Sequence, residues 1–497
     1  MSPNHFDVLI VGGGLSGIGA ACALQTNCPQ KSYAILEGRG STGGTWDLFR
    51  YPGIRSDSDM FTLGYSFKPW VEGKAIADGH SILKYINDTA KEHGIDKHIR
   101  FQQWVKRASW SSKDALWTIE VECGAEKQML RYTCNFLFLC SGYYSYKEGY
   151  LPEFPGSKQF AGTLVHPQKW PDDLDYAGKR VVVVGSGATA VTLVPAMAKT
   201  AAQVTMLQRS PTYVVSRPGQ DAMANFLRRF FPSKVAYFLV RWRNILFGIY
   251  FFNLCKRNPE RVKKWILKQA QTVLGPAYDV GKHFTPRYNP WDQRMCLVPD
   301  GDLFESIKAG KAAVVTDEID TFTERGIKLR SGAELPADII VTATGLSLVA
   351  LGEVQISVDG RAIDPAKTMN YKGTMYGGIP NLASVFGYTN ASWTLKSELT
   401  CNYICRVLNH MDQGGYQVCV PQNDDPSVAI EPWLNLSSGY IQRVADKLPK
   451  QGSKVPWKLH QNYVKDVISL RYGSLEDGVI RFLNPAESLQ LSSALPS

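Results

Sequence analysis

Twice along this chain a short run of apolar residues leads directly into a glycine-rich turn, and a helical sequence follows each turn. The first strand-like run covers residues 7–11, with four apolar residues before Gly12, and the second covers 179–184, with four valines before Gly185. A continuously apolar strand is typical of a parallel sheet that is buried on both faces. A strand, a glycine turn, a helix and a second strand together form the βαβ unit that binds dinucleotides. The 497-residue chain is also too long for one core. We therefore predict an α/β protein with two Rossmann-like dinucleotide-binding domains.

The first turn has the pattern G-x-G-x-x-G. Gly12 permits the tight turn, Gly14 lets the backbone approach a pyrophosphate, and Gly17 lets the helix pack closely on the strand. Glu37 stands 25 residues after Gly12, at the end of the second strand. A carboxylate there accepts hydrogen bonds from ribose hydroxyls and repels a 2′-phosphate, so this site suits FAD or NAD. The candidate cofactor-binding residues of this unit are Gly12, Gly14, Ser16, Gly17 and Glu37.

The second turn has the variant pattern G-x-G-x-x-A. At the place that corresponds to Glu37, 24 residues after Gly185, stands Arg209, followed by Ser210. A cation and a hydroxyl where an acid would stand favour the 2′-phosphate of NADP, although an arginine at a strand end can also be simply solvated. We therefore assign FAD to the first turn and NADPH to the second. The candidate residues here are Gly185, Gly187, Ala188, Thr189, Ala190, Arg209 and Ser210.

Between the two turns, residues 160–171 fit the pattern F-x-G-x-x-x-H-x-x-x-W-[P/D]. This pattern is the fingerprint of the type I Baeyer–Villiger monooxygenases, which are class B flavoprotein monooxygenases. With the stretches 43–60, 288–304 and 387–394 it makes nearly the whole chain resemble this family, most closely its ethionamide-activating subgroup. The fixed positions of the fingerprint are Phe160, Gly162, His166, Trp170 and Pro171.

The resemblance implies an FAD-containing enzyme that uses NADPH and O2. In the family, NADPH reduces FAD, O2 adds at the flavin C4a position, and the deprotonated peroxyflavin attacks a carbonyl. The arginine that stabilises this anion matches Arg294, and the aspartate that positions the arginine matches Asp57, which is also a candidate cofactor contact. A guanidinium suits this role because it stays charged. A structural salt bridge is the alternative interpretation, and Arg50 and Arg55 are rival partners for Asp57.

Other residues are candidates for contact with the flavin or the substrate. In the stretch after the second strand, the candidate cofactor-binding residues are Gly44, Thr45 and Trp46. Trp46 and three further candidates are equally well explained as ordinary core or cap residues, and the further three are Tyr51, Asn390 and Trp393.

The resemblance also gives the linker a conformational role. In this linker, His166 and Trp170 would couple NADP binding to the arrangement of the domains. The alternative interpretation is that His166, like most single loop histidines, is only a polar residue with satisfied hydrogen bonds. The chain departs from the family at Gln293, where many related enzymes have a lysine that helps to bind the NADP phosphate. Selection of NADPH over NADH therefore depends more on Arg209 and is less strict.

The order of these segments predicts how the chain divides. We expect two domains that are each built from two parts, with a helical insertion in the NADP domain. The predicted segments are 1–143 (FAD-binding, first part), 144–211 (NADP-binding, first part), 212–291 (helical insertion), 292–345 (NADP-binding, second part) and 346–497 (FAD-binding, second part).

The predicted insertion is helical, basic and aromatic, and we expect it to wall the substrate tunnel. Its run 237–252 is too short, and too interrupted by Arg241 and Arg243, to span a bilayer. The basic and aromatic mixture permits weak association with a membrane surface. An amphipathic helix packed on the core is the plainer interpretation.

Several functions are excluded by patterns that the sequence lacks. A pyridine nucleotide–disulfide reductase would carry a C-x-x-x-x-C after the first βαβ unit, and residues 38–60 contain no cysteine. The eight histidines show no H-x-x-x-H spacing, so we predict no metal site. The net charge of +10 is mild and forms no basic block, so we predict no nucleic-acid partner. Ten scattered cysteines and no secretory signal favour a cytoplasmic protein with reduced thiols.

We therefore expect a monooxygenase that converts ketones to esters or lactones and also oxidises sulfides and thioamides. Its partners would be O2 and a small ketone or sulfur-containing molecule. One alternative is a flavin-dependent N- or S-heteroatom monooxygenase with little ketone activity. Another is an NADPH-binding flavoprotein that only transfers electrons or senses redox state. The physiological substrate and the oligomeric state do not follow from the sequence.

Overall fold

The computed structural model of the protein describes residues 4–434, 436–485 and 487. The outer ends of the predicted FAD-binding segments, 1–3 and 488–497, therefore lie outside the described residues. In chain order the described strands are β1 His5–Val11, β2 Tyr33–Leu36, β3 Ile99–Arg100, β4 Gln103–Ser111, β5 Leu116–Cys123, β6 Gln128–Leu139, β7 Thr163–Val165, β8 Arg180–Val184, β9 Gln203–Gln208, β10 Val214–Arg217, β11 Cys296–Pro299, β12 Ala312–Thr316, β13 Ile319–Thr323, β14 Gly326–Leu329, β15 Glu334–Pro336, β16 Ile339–Thr342, β17 Gln355–Val358, β18 Arg361–Ala362, β19 Asn370–Tyr371, β20 Met375–Tyr376, β21 Leu382–Ser384, β22 Val418–Pro421, β23 Ile430–Pro432, β24 Lys450–Gly452 and β25 Ile480–Leu483.

The helices lie between these strands. In chain order the α-helices are α1 Leu15–Asn27, α2 Thr45–Leu48, α3 Met60–Leu63, α4 Gly79–Glu92, α5 Ala188–Met197, α6 Ala222–Phe230, α7 Ser233–Arg257, α8 Pro259–Leu274, α9 Val280–Phe284, α10 Asp302–Lys308, α11 Trp393–Gly414, α12 Gly439–Gln442 and α13 Tyr463–Asp466. Short 3₁₀ helices cover Ile95–His98, Ser157–Gln159, Pro167–Lys169, Leu351–Glu353 and Pro365–Lys367, and a π-helix covers Val467–Tyr472.

The larger sheet has the strand order β18-β17-β4-β5-β6-β1-β2-β3, and β21 also pairs with β6. Strand β1 is parallel to both of its neighbours. It sends Val8 and Ile10 into one core and Leu9 and Val11 into another, which explains its continuously apolar sequence. Strands β4, β5 and β6 form antiparallel hairpins. The alternation of apolar and polar residues between about 98 and 140 predicts this arrangement.

The smaller sheet is parallel throughout, with the order β12-β9-β8-β16-β7. Strand β8 repeats the pattern of β1, because alternate valines enter cores on opposite faces. The predicted α/β fold with two Rossmann-like units is therefore confirmed.

The chain passes from the larger sheet to the smaller one through residues 140–162 and returns through 343–354, and we call these two segments the crossings. The predicted domain boundaries at 144 and 345 fall within the crossings and remain predictions.

The segment that follows β9 differs in two respects from its sequence-based prediction. It opens with a strand, β10, which pairs in parallel with β11 before helices α6 to α9 follow. The run 237–252 lies inside α7, which has 25 residues and is long and apolar enough to cross a bilayer. The prediction that this segment is too short was wrong, because flanking residues on both sides continue the helix.

Helix α7 is nevertheless anchored on the protein by a buried ion pair. The Arg241 guanidinium lies 2.6 Å from the Glu398 carboxylate, and these side chains are only 4% and 12% exposed. The same guanidinium donates to the carbonyls of Phe61 and Gly64 at 2.8 and 2.7 Å. Arg241 is therefore a fixed link between the insertion and helix α3, and it faces the protein interior.

Replacing Arg241 tests this link. Because Arg241→Met leaves the Glu398 carboxylate buried and unpaired, it should lower the free energy of unfolding by about 3–5 kcal/mol in urea denaturation. The double variant Arg241→Met/Glu398→Met should recover part of this loss, since it removes both charges. Arg229→Met, at an exposed position on α6, is the control and should change stability by about 0.5 kcal/mol or less. A single variant as stable as the control would contradict the anchoring role.

Candidate functional site

The two glycine turns have nearly the same backbone geometry. In each, the first glycine donates its N–H to the end of the neighbouring strand, Gly12 to Leu36 and Gly185 to Leu207, at 2.8 Å in both cases. The glycine that caps the following helix has φ/ψ of −82°/−171° in the first turn and −78°/−174° in the second. Both helices thus direct their N-termini at the space beyond the turn, where a pyrophosphate is bound in such units.

Gly12 and Gly185 cannot carry a side chain. Their φ angles are +106° and +137°, in the region that glycine alone adopts easily. A Cβ atom would lie 2.6 Å from the Cys140 carbonyl oxygen in the first turn and 2.3 Å from that of Ala343 in the second. Each turn therefore packs directly against the start of one crossing. At Gly187, by contrast, a Cβ would meet no atom within 4 Å, so the space above this helix is open to a ligand.

Glu37 lies where the sequence predicts a ribose contact. Its side chain is buried and accepts hydrogen bonds from the N–H groups of Gly13 at 2.7 Å and Arg39 at 2.8 Å. Burial raises the pKa of Glu37, and these two N–H groups act against that rise. The carboxylate borders a cavity of about 60 Å³ beside Trp104. This cavity suits the adenosine end of a dinucleotide.

A cavity of about 300 Å³ continues from the first glycine turn and shares Gly12 and Tyr146 with the smaller one. It runs past Trp46 to Asp57 and Arg294. The two cavities together form an elongated space that fits FAD, with the adenosine end at Glu37 and the flavin end at the Arg294 guanidinium. Of the residues predicted to bind FAD, those that line the larger cavity are Gly12, Gly14, Ser16, Gly44, Thr45, Trp46 and Asp57.

Other predicted contacts also border the larger cavity. The Trp393 indole N–H donates to the Ser16 hydroxyl at 2.7 Å, and its ring stacks on Tyr143 with centroids 5.1 Å apart. Tyr51 lies at the wall next to Thr189, and burial raises the pKa of Tyr51 to about 12. Because Thr189 belongs to the second glycine turn, this cavity is where the two nucleotide-binding units meet.

Arg294 and Asp57 lie side by side at the end of this cavity. The guanidinium Nη2 is 3.3 Å from the Asp57 carboxylate, and the side chains are 33% and 42% exposed. The rival arginines have other partners. Arg55 forms an ion pair with Asp302, and Arg50 lies 3.6 Å from Asp47. The structure therefore brings Arg294, and neither rival, to Asp57.

Three tyrosines near Arg294 were not predicted as site residues. The Asp57 carboxylate raises the pKa of Arg294 above its ordinary value, and Tyr143, Tyr440 and Tyr144 add to this effect. Burial raises the pKa of Tyr440 to about 12, which keeps this phenol neutral. Tyr143 and Tyr144 are in hydrogen-bond contact, with their oxygens 2.9 Å apart. Tyr440 is remote in sequence and lies in no motif, so no sequence signal could have found it.

The loop that carries Arg294 is strained and held in place. Trp291 has a φ of +67°, which costs a residue with a side chain about 1–3 kcal/mol. Lys256, at the end of α7, donates to the Trp291 carbonyl at 3.0 Å and to the Asp292 carboxylate at 2.9 Å. The insertion thus helps to fix the loop that presents Arg294.

A third cavity, of about 200 Å³, meets the larger one at Asp57 and Arg294. Most of its far wall is apolar and comes from the insertion, including Phe251, Phe252 and Trp265. Asn390 borders it and donates to the Gln461 carbonyl at 2.9 Å. This cavity suits an apolar small molecule that would meet the flavin end of the first cavity at the charged pair.

The predicted NADP residues surround the second turn. Arg209 and Ser210 are exposed, and Arg209 has no ion-pair partner in the described part of the chain. Its guanidinium is therefore available to an anion. The Ser186 hydroxyl donates to the Ser210 carbonyl at 3.1 Å, which fixes this strand end beside the turn. Gln293 is directed elsewhere, with its amide 3.5 Å from the Ser437 carbonyl.

His166 joins the two crossings. Its Nδ1 accepts from the Gln168 N–H at 3.2 Å, so Nε2 carries the proton and donates to the Gly345 carbonyl at 3.2 Å. The ring also lies against Gly149. Burial lowers the pKa of His166, which favours the neutral ring. This placement suits a conformational role, which remains a prediction.

The other fingerprint residues are structural neighbours of the smaller sheet. Phe160 packs into the apolar cluster on one of its faces, and Trp170 packs against the cluster on the other. Gly162 lies so close to β16 that a Cβ atom would be 2.4 Å from the Asp338 carbonyl oxygen. Pro171 accepts a backbone hydrogen bond from Leu174 at 3.4 Å. These fingerprint residues therefore pack the linker against the smaller sheet.

Two dinucleotide turns that open on one cavity define a class of protein, a flavoprotein that receives electrons from a nicotinamide nucleotide. The family described as flavin-binding monooxygenase-like matches residues 75–359, and a Rossmann-like NAD(P)-binding domain matches residues 10–70. The chain belongs to this monooxygenase family, and it is a flavin-dependent monooxygenase with FAD and NADP as cofactors.

Individual relatives agree with this assignment. The chain is 54% identical over 480 residues to the FAD-containing monooxygenase EthA of Mycobacterium tuberculosis, covering 96% of this chain and 98% of that protein. It is 52% identical over 492 residues to EthA of Mycolicibacterium smegmatis, covering 99% and 100%. The predicted resemblance to the ethionamide-activating subgroup is thus confirmed.

Solved structures show the same fold at lower identity. An oxidised steroid monooxygenase bound to NADP superimposes with a TM-score of 0.76 at 22% identity, and an open cyclohexanone monooxygenase with 0.76 at 18% identity. Each comparison covers 97% of this chain and 100% of the other. They support the fold of the Baeyer–Villiger enzymes.

Gly12 provides a test of the first turn. Gly12→Ala should lower the affinity for FAD by at least about tenfold, or ~1.4 kcal/mol, because the new methyl group collides with the Cys140 carbonyl. Gly124→Ala is the matched control, since it also has a positive φ (+67°) but no atom within 4 Å. It should bind FAD normally. Titration of the apoprotein with FAD measures both, and equal affinities would show that the close contact is unimportant.

Proposed function

We propose that the protein is a Baeyer–Villiger monooxygenase that converts ketones to esters or lactones and also oxidises sulfides and thioamides. One ketone, one O2, one NADPH and one proton would give one ester, one water and one NADP⁺. The observation that carries the proposal is the position of the Arg294–Asp57 pair, where the FAD-shaped cavity meets the apolar cavity. A fixed positive charge at this junction can stabilise negative charge that develops beside a bound ketone.

Each group has a distinct role in this proposal. Bound FAD would take electrons from NADPH and activate O2. Arg294 would stabilise anionic oxygen at the flavin end, and Asp57 would orient the guanidinium without neutralising its donors. Arg209 would bind the 2′-phosphate of NADPH. We also propose the predicted domain division, with FAD bound by 1–143 and 346–497 and NADPH by the parts around the insertion.

We further propose that the enzyme works in the cytoplasm with O2 and small ketones or sulfur compounds as its substrates. All ten cysteines, each of them in the described part of the chain, are free thiols. Burial raises the pKa of most of them, for example of Cys296 to about 12, so these thiols stay protonated and unreactive.

Product analysis is the first test of the activity. The FAD-loaded protein is mixed with NADPH, air and a panel of linear, cyclic and aryl ketones together with a thioether. Esters or lactones that are one oxygen atom heavier than their ketones are expected. Sulfoxide without ester would instead identify a heteroatom monooxygenase. NADPH oxidation that yields only hydrogen peroxide across the whole panel would count against an oxygenase.

Variants of the charged pair separate flavin reduction from oxygen transfer. Arg294→Ala should still be reduced by NADPH, yet ester formation should fall by about 10²–10³-fold, the usual loss when one anion-stabilising donor is removed. Arg294→Lys keeps the positive charge but lacks the planar guanidinium with its paired N–H donors, so it should recover only part of the rate of ester formation. Stopped-flow flavin reduction and ester yield are measured on the same samples. Near-normal ester formation by Arg294→Ala would remove Arg294 from the mechanism.

Arg209 should control the choice of nicotinamide nucleotide. Arg209→Ala should raise KM for NADPH by roughly 10–100-fold, as expected when a hydrogen-bonded ionic contact is lost. KM for NADH should stay unchanged, because NADH lacks the 2′-phosphate. Steady-state NAD(P)H oxidation measures both constants, and Arg330→Ala, an exposed arginine of the same domain, is the control. Equal effects on NADPH and NADH would contradict the assignment.

A further inference from the structure

Helix α7 is apolar on two opposite faces. Its inner face, which includes Val240 and Ile245 beside the ion-paired Arg241, packs on the protein. The outer face extends from Val235 to Tyr250, and its residues are separated by three, four or seven positions, which keep them on one side of the helix. Its large apolar side chains are between 42% and 62% exposed, and they are Val235, Phe238, Leu239, Leu246 and Tyr250.

Helix α6 and the turn after it extend this surface. Met223, Phe226, Phe230 and Phe231 are between 45% and 67% exposed. The rings of Phe226 and Phe230 lie 5.0 Å apart and expose a joint aromatic surface. We call the exposed apolar residues of α6, the following turn and α7 the apolar face. Large exposed apolar side chains grouped on neighbouring helices are a candidate binding site for a partner or a membrane.

The charge around the apolar face is strongly positive. Residues 212–291 contain 14 Lys and Arg but only 3 Asp and Glu, a net charge of +11, whereas the entire chain carries +10. Arg229 and Lys234 are exposed at the turn between α6 and α7. Arg257 is exposed at the far end, seven residues after Tyr250 and so on the same side of the helix. Basic side chains thus flank the face at both ends, where anionic lipid headgroups would meet them.

The apolar face also leads to the apolar cavity. Phe247 and Trp265 are 48% and 46% exposed, and both line the cavity that ends at Arg294 and Asp57. A lipophilic molecule in a bilayer beneath the face would therefore lie next to the wall of this cavity.

Two other occupants fit less well. A second copy of this chain would place two strongly positive surfaces against each other, which is unfavourable. A bilayer-spanning helix would have to leave the protein, and this would break the buried Arg241–Glu398 ion pair. The anchored inner face and the apolar outer face together match a helix that lies in the plane of a membrane.

We propose that the apolar face docks the enzyme on an anionic membrane and admits bilayer-dissolved substrates to the cavity. Docking itself does not depend on the chemistry. The substrate class, lipophilic long-chain ketones or sulfur compounds, rests on the proposed Baeyer–Villiger function.

Vesicle co-sedimentation of the full-length, FAD-loaded protein tests docking without any turnover. Vesicles of phosphatidylcholine mixed with phosphatidylglycerol should bind the protein, and vesicles of phosphatidylcholine alone should bind it more weakly. Added salt should weaken binding to the anionic vesicles, since it screens the basic residues. Absence of binding to either composition would overturn the proposal.

Matched variants locate the binding surface. Phe230→Ser/Phe238→Ser/Leu246→Ser should reduce vesicle binding by about tenfold or more, because three exposed apolar side chains are lost. Arg229→Glu/Lys234→Glu should reduce binding to anionic vesicles by about tenfold or more and leave binding to neutral vesicles nearly unchanged. The controls are Met129→Ser/Ile430→Ser and Lys113→Glu, which alter exposed residues far from the insertion. They should bind like the parent protein.

Several outcomes would contradict membrane docking. If the triple serine variant and the Arg229→Glu/Lys234→Glu variant both still bind vesicles normally, the membrane contact lies elsewhere on the protein. A parent dimer that becomes monomeric in the apolar variant, without vesicle binding, would assign the face to a second copy. Flavin content and conversion of a water-soluble ketone are measured in lipid-free buffer. A docking failure with normal conversion would leave the proposed function intact, whereas docking without conversion of any ketone would count against the function alone.

Discussion

A single ion pair joins two residues that are 237 positions apart in the chain, and the proposed chemistry depends on it. Asp57 follows the first nucleotide-binding unit, and Arg294 precedes β11, beyond the whole insertion. They lie 3.3 Å apart where the cavity suited to FAD meets the apolar cavity. The rival arginines are held away by their own carboxylates. Arg50 and Arg55 therefore leave Asp57 to Arg294.

Local constraints could be predicted from the sequence. The two glycine turns are set by contacts within a few residues and between neighbouring strands, so the motif contains most of the necessary information. Gly12 and Gly185 have the same hydrogen bond, positive φ and close carbonyl contact in both units. Apolar runs that enter cores on both faces of a parallel sheet are similarly visible in the sequence. The fold class followed from these features, and the predicted pair of cofactors, FAD and NADP, agrees with the family. The division of the two cofactors between the two turns remains a prediction.

Features that depend on long-range packing could not be predicted. Tyr440 approaches Arg294 only because a C-terminal segment folds back over the cavity, and nothing near Tyr440 in the sequence indicates this. The true length of α7 was missed because its ends are polar and basic residues that continue the helix. The sequence permitted contact with a membrane surface but did not show which side chains of α7 are exposed. Apolar residues on every side of a helix usually indicate complete burial, and only the packing shows that one side has no protein partner.

Helix α7 connects its exposed outer face to the segments that carry Asp57 and Arg294. Asn244 on its inner side donates to Asp59 at 2.9 Å, two residues from Asp57, and Lys256 at its end holds the Trp291 carbonyl, three residues before Arg294. One helix thus touches the segments that carry both members of the catalytic candidate pair. The Arg241–Glu398 pair holds this helix on the protein, so a contact on its outer face would act on an anchored element. A membrane contact on that face would therefore act on the supports of the charged pair, which links where the enzyme binds to how its reactive cavity is arranged.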